Sequence, residues 1–389
     1  MTAVSQQTGA WLEAFTNQPA AEPWIQALRD AAFARFAELG FPTTHDEEWR
    51  FTNVAPIART NFAVGRASGP ASKYGVALSE AEPHLAKHAS FEQNPFVALN
   101  TAFLNDVTVI RVPKNTIVEE PIEIIYDSGR TGGPPHATHP RTVVLVGAGS
   151  HCTIVETYKG AGTYLTNAVT EVVAGDGAVI DHYKVQQESL SAWHVATKHV
   201  TLGRSANFSS HSISLGAALA RNDVIATLSE GTEATLNGLY IVNGTQHVDN
   251  HTSIDHAKPH ATSHELYKGI LDGKANAVFN GKIIVRKDAQ KTDSKQTNKN
   301  LVLSDEAVIN TKPELQIYAD DVRCTHGATI GQLDAEMMFY LRSRGIGANQ
   351  ARSLLIYAFA QDIVERIKVQ SLRDSLERIL FEKFHEHAA

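Results

Sequence analysis

With 389 residues and a net charge of −7, the chain is long enough for two or three domains, or for one elongated core with appended parts. Its 35 basic residues are dispersed, which argues against a dedicated nucleic-acid surface, and no run of about 18 apolar residues occurs, so no membrane-crossing helix is expected. Two cysteines only, Cys152 and Cys324, and an N-terminus without a basic start or a continuous apolar core, point to a reducing cytosol, so a cytoplasmic protein is expected.

Residues 11–62 carry a helical pattern. Trp24, Ile25, Leu28, Ala32, Phe36 and Leu39 recur at three- and four-residue steps, and Gly40 followed by Pro42 ends the helix. HDEEWRFTNVAPIA follows, with its acidic residues early, as a helix start prefers. Residues 63–92, rich in Gly, Ala and Ser, read as a connecting segment. From about residue 105 short Val/Ile/Thr runs such as TVIRV, PIEIIY and TVVLV take over, each bounded by turn residues.

The spacing of those turns repeats. Gly147, Gly175, Gly203 and Gly231 fall 28 residues apart, each followed three residues later by a small residue: Ser150, Ala178, Ala206 and Ala234. Weaker half-period turns lie near Gly162, Ser189, Gly216, Gly244 and Gly273. A fixed period of this length marks stacked repeats. No helix-length stripe separates the strands, which excludes a doubly wound fold. The expectation is mainly β: a right-handed parallel β-helix (β-solenoid) core with the four glycines superposed at one corner, flanked by N-terminal and C-terminal α-helical regions; a β-sandwich is the runner-up. The corresponding organisation is residues 1–104 as helical region and connecting segment, 105–332 as β-helix core, and 333–389 as C-terminal helical region.

After Leu333 helical spacing returns. Met337, Met338, Tyr340 and Leu341 open a helix ending at Gly345; Leu354, Leu355, Ala358, Phe359 and Ile363 stripe a second, and Leu372, Leu376, Ile379 and Leu380 a third. Because a coil stack has unpaired ends, the helical regions are expected to cover them. The strands Lys295–Ser304 and Glu314–Val322, just before the helical end, are the expected free edges.

Three constellations bear on chemistry. Cys324 and His326 sit on alternate residues of a strand end, hence on one face, and both are ligand types suited to iron, zinc or copper. His247, His251, His256, His260 and His264 enclose Asp249 and Asp255; His247, Asp249 and His251 share a strand face, but Pro259 prevents one helix from aligning all five histidines. A stand-alone β-helix metalloenzyme using His247–His264 is therefore the alternative reading. Nucleotide and hydrolase motifs fail: GILDGK lacks a residue and the hydroxyl of a phosphate loop, no G-x-S-x-G is present, and Asp320 and Asp321, adjacent on a strand, point to opposite faces.

Several segments in order carry a family resemblance: LGFPTTHDEEWRFTNV, NHTSIDHAKPHATSHELYKGILDGKANAVFNGKIIV, AQKTDSKQTNKNLVLSDEAVINTKPELQIYADDVRCTHGATIG and FYLRSRGI. Together they resemble the SufB/SufD family of iron–sulfur cluster assembly scaffold proteins. QTNKNLVLS, which aligns with SufB's essential cysteine, contains no thiol, and Gly327 follows His326 where SufB-like sequences carry glutamate, which sets the chain on the SufD side.

The resemblance implies a non-enzymatic subunit of a SufBCD-type complex. It would pair with SufB through the β-helix end and bind the SufC ATPase through the C-terminal helices, at Leu354, Leu355, Phe359 and Ile363, with a homodimer open when isolated. His326 and Cys324 would meet transient iron or a nascent cluster shared with SufB. No cofactor is then held stably by this chain alone, and reduced flavin in the complex stays open.

Overall fold

The computed structural model describes residues 11–67, 74–129 and 132–385. Helix α1 (Pro23–Leu39) starts on a proline and stops at Gly40, whose N–H closes the last turn on the Phe36 carbonyl and whose φ of 65° turns the chain out of the helix. The acidic segment after it is a single 3₁₀ turn, Glu47–Trp49, followed by α2 (Ala55–Arg59); α3 spans Pro95–Ala102, with Asn94 as its N-cap. Strands β1 (Ala63–Val64), β2 (Val107–Val112), β3 (Ile122–Asp127), β4 (His136–Thr138), β5 (Arg141–Val146) and β6 (His151–Gly160) begin the β region. It continues through β7 (Tyr164–Ala174), β8 (Val179–Glu188), β9 (Trp193–Leu202), β10 (Asn207–Ser214), β11 (Leu219–Leu228) and β12 (Glu233–Val242). The last strands are β13 (His247–His256), β14 (Thr262–Leu271), β15 (Asn276–Val285), β16 (Asp293–Val302), β17 (Val308–Ile317) and β18 (Arg323–Gly331). Helices α4 (Ala335–Ser343), α5 (Ala348–Val364) and α6 (Gln370–His385) close the chain.

Every named strand pair is parallel, and from β5 onward consecutive strands alternate between two sheets, so the chain winds as a parallel β-solenoid. One sheet runs β7-β9-β11-β13-β15-β17 beyond its first strands, and the other β3-β6-β8-β10-β12-β14-β16-β18. The β-sandwich alternative is thereby excluded. The space between the sheets is filled by Ile154, Ile180, Phe208, Leu236, Val248, Tyr267 and Phe279 in one continuous core.

The 28-residue period holds for the early coils and then changes. Val179 pairs with His151 and Asn207 with Val179, 28 residues on each time, but Glu233 pairs with Asn207 only 26 on, and Thr262 with Glu233 29 on. Gly147, Gly175 and Gly203 do stack: a Cβ on Gly175 would strike the backbone at Gly147–Ala148, and one on Gly203 the backbone at Gly175–Asp176. Gly231 does not join them. It takes the left-handed position held one coil earlier by Ser205, because the corner Leu215–Ala218, between Ser214 and Leu219, is two residues shorter than Gln187–Ala192, between their register partners Gln186 and Trp193. The left-handed column runs Gly149, Gly177, Ser205, Gly231, His260, Lys291, and each of these N–H groups donates to a carbonyl in the following coil.

The helices lie along the outer sheet faces rather than over the ends. Phe33, Phe36, Phe96 and Leu99 pack on Ala137, Leu165, Val195 and Leu219 of one sheet. Ile356, Ala360, Ile363, Val364, Leu376 and Leu380 pack on Val185, Ile213, Leu239, Ile241 and Ile270 of the other. No residue of α4 is fully buried: Met338 and Leu341 are half-buried, whereas Met337, Phe339 and Tyr340 of the expected stripe stand exposed.

Candidate functional site

The distal end of the solenoid is its least covered part. Its last strands are β17 in one sheet and β18 in the other, and among the described residues each is paired on one side only. The expected edge at Lys295–Ser304 is corrected: this segment is β16, paired on both sides and covered by β18. Glu314–Ile317 does lie on the terminal strand β17. Around this end Ile317, Tyr318, Ile330, Met337, Phe339 and Tyr340 are exposed, Phe339 by 75%. Large exposed apolar side chains gathered at one end of a fold mark a protein-interaction surface.

Cys324 and His326 are both on β18, in register with Ser294 and Gln296, whose side chains are buried inside the solenoid. By strand alternation they face the mouth of that interior. His326 is exposed; Cys324 is half-buried against Leu315 and Val322, and burial, with Asp293 nearby, pushes its thiol up. That favours the thiol over the thiolate that binds iron. Among the described residues no three His, Cys, Asp or Glu side chains are grouped so as to hold a metal ion. An iron–sulfur cluster commonly takes four protein ligands, so this pair could supply only part of a set.

The histidine group between 247 and 264 is dispersed. His247, Asp249 and His251 share the outer face of β13, as alternation requires, but Glu48, Thr52 and Arg221 occupy them. The Arg221 guanidinium lies 3.9 Å from the Trp49 ring and bonds Asp249 Oδ2 at 2.7 Å, while His251 bridges Asp249 Oδ1 (3.0 Å) and Glu48 Oε2 (3.2 Å). Burial opposes a charge on His251, yet Asp249 and Glu48 outweigh it and hold the imidazole at about 9; the His251 hydrogen bond takes Glu48 down to about 2. His256 instead points inward, 2.9 Å from Ser263 Oγ, His260 sits in a turn with φ 61°, and His264 is exposed on the opposite sheet. The EEWRFT segment is thus the fastener of the N-terminal region, and its partner residues are structural.

Of the proposed partner-contacting residues on α5, Leu354 is 39% exposed and Leu355 and Phe359 are partly so. Ile363 is a correction: it is fully buried against the chain's own sheet and has no face to offer.

Sequence reading missed a column of ionisable groups inside the solenoid. His182 Nε2 lies 3.0 Å from Glu156 Oε2, Lys198 Nζ 2.8 Å from His182 Nδ1, and Lys184 Nζ donates to Asn222 Oδ1 at 2.5 Å, all buried. Burial and then Lys198 draw Lys184 down to about 7. The signal was present as charged residues at alternate positions of strands one coil apart, but it becomes readable only once the register is known.

Comparison with known proteins places the chain. Residues 128–359 match the SufBD core domain of the SUF system for FeS cluster assembly, and residues 14–73 and 77–124 match the SufBD N-terminal region. The chain belongs to the SufBD family. It is 34% identical to an iron–sulfur cluster assembly SufBD family protein of Synechocystis sp., over 90% of this chain and 89% of the relative. It is 29% identical to the iron–sulfur cluster assembly protein SufD of Escherichia coli, over 94% and 92%, and 26% identical to that of Bacillus subtilis, over 75% and 67%. These relatives are named as assembly proteins. Among the described residues no helix is long and apolar enough to cross a membrane.

Proposed function

We propose that this chain is a non-enzymatic, cytoplasmic subunit of an iron–sulfur cluster assembly scaffold. Its distal coil docks on a second solenoid of the same family, a SufB-type subunit, and the exposed side of its C-terminal helices carries a SufC-type ATPase. The observation that supports this reading best is the uncovered last coil, where exposed apolar side chains surround two free strand edges. Beside that joint, His326 and Cys324 serve as donors for iron or a nascent cluster, the partner supplying the remaining ligands. Leu354 and Phe381, both exposed on the covering helices, are the contacts proposed for the ATPase.

Co-expression of the tagged chain with the SufB- and SufC-type proteins tests this. All three should co-purify, Leu354→Arg should release the ATPase alone, and His326→Ala should leave the assembly intact but lower its cluster content and the maturation of iron–sulfur enzymes. Failure of the wild-type chain to bring down a SufB-type partner would remove the scaffold reading. Unchanged cluster delivery by His326→Ala would remove the donor role only.

A further inference from the structure

The two free edges of the last coil are not equivalent, and the backbone says which one can be continued. In a parallel ladder successive residues direct their N–H and C=O groups alternately to either side. Val308 and Tyr318 donate to the Ala275 and Val285 carbonyls, so the even-numbered residues of β17 serve its own sheet. The odd ones, Ile309, Thr311, Pro313, Leu315 and Ile317, face the free side. Pro313 therefore sits in the middle of that free edge and leaves it without a donor there. On β18 the Arg323 N–H donates to the Thr292 carbonyl, so the odd residues serve β16 and Cys324, His326, Ala328 and Ile330 face out. All four have an N–H. The β18 edge is an uninterrupted row of donors and acceptors; the β17 edge is broken.

A second observation falls on the same strand. Gly327 and Gly331 have negative φ or extended backbone, and a Cβ on either would meet nothing within 4 Å. Among the described residues nothing calls for glycine at these places, although glycine weakens a strand, and bare strand positions are where another backbone comes close. A third concerns what can cover this end. Ile317 (40% exposed) and Ile330 (54%) continue the inward-facing rows of the two sheets, and both stand open to solvent. Only a coil of similar cross-section covers both rows at once.

Resting on the reading that a second solenoid of the family docks here, we propose that the partner's terminal strand adds to β18 by continuous backbone pairing over Cys324–Ile330, and that Pro313 keeps β17 from equivalent pairing. The joint is then asymmetric, with β18 as the hydrogen-bonded side and β17 contributing side-chain contacts. The same asymmetry discourages the coil end from adding copies of itself along both edges, because one of its two ladders cannot be completed.

The experiment uses the full chain with its SufB-type partner. Ala328→Pro removes one donor from the free side of β18 without taking a hydrogen bond from the chain's own sheet, and Leu315→Pro does the same on β17. Ala328→Pro is expected to weaken association at least tenfold, and Leu315→Pro less than about threefold. Hydrogen exchange on the unmodified complex checks the result without relying on a variant that folds: the amides of Cys324, His326, Ala328 and Ile330 should slow at least tenfold on assembly, and those of Ile309, Thr311, Leu315 and Ile317 markedly less. Equal protection of the two rows, or stronger protection of β17, overturns the proposal even though the partner binds. Absence of any complex with the wild-type chain would instead count against the scaffold reading from which it starts.

Discussion

The middle coils and the last coil are built from the same strand pattern but differ in what surrounds them. In the middle, both outer faces lie under helices; inside, Glu156 is matched to His182 and Tyr240 to Asn300, and on the outer face beneath the N-terminal region Arg141 is matched to Glu171. At the distal end β18 is almost wholly exposed and no residue of α4 is fully buried. The difference teaches where stability and function separate. A substitution in the middle acts on the fold, whereas one at the end should be nearly silent until a partner is present.

The largest effect is expected from Glu171→Leu. Glu171 and Arg141 are both fully buried, joined at 2.6 Å, and the Ala86, His88 and Ala89 N–H groups also donate to the same carboxylate. Its loss strands a buried guanidinium and three donors, so chemical denaturation should show a cost of about 3–5 kcal/mol. A loss below about 1 kcal/mol would mean that the middle coils do not depend on these pairings.

A pH titration addresses the fastener between the N-terminal region and the solenoid. The folded-state pKa of His251, about 9, lies above its unfolded value of roughly 6.5. Its contribution is fully present below pH ~6.5 and is lost as pH rises through ~9, with an upper limit of about 3 kcal/mol. Thermal melts of the wild type and His251→Gln between pH 6 and pH 10 should converge as the pH rises. Parallel curves would show that the imidazole charge does not hold the segment.

The repeat was legible in the sequence because every coil must turn at the same corners, and backbone geometry restricts which residues can do so. The change in coil length was not, since Gly231 keeps the 28-residue spacing from Gly203 while filling the place of Ser205. On α5 spacing alone could not choose a face. Leu354 and Leu355 satisfy helical periodicity as well as Ile356, Ala360 and Ile363 do, but it is the second set that is buried against the sheet, with Phe359 at its margin beside Lys268 of β14. Strand alternation correctly put His247, Asp249 and His251 together, but what makes them structural comes from Glu48, Thr52 and Arg221, which are distant in sequence. The open end was legible in part, as an expected free edge at Glu314–Val322 and as the pair Cys324 and His326; that the edge also includes β18, and not Lys295–Ser304, depends on the register of the last coil.

The smallest effect makes the sharpest test of the contrast, because it uses one residue type in both regions. Gly269 lies inside the solenoid, where an added Cβ would collide with the Tyr240 ring. That ring is fixed by hydrogen bonds with Asn298 and Asn300, so it cannot yield without loss. Gly269→Ala should therefore destabilise by about 1–3 kcal/mol through overpacking. Gly327→Ala places the same methyl group in open space on an extended strand, and should leave stability unchanged or raise it by a few tenths of a kcal/mol through lower unfolded-state entropy. Denaturation of the two variants side by side gives the answer. If Gly327→Ala costs as much as Gly269→Ala in the isolated chain, the last coil is packed against something of its own, and its openness to a partner is lost as an explanation for the glycine there.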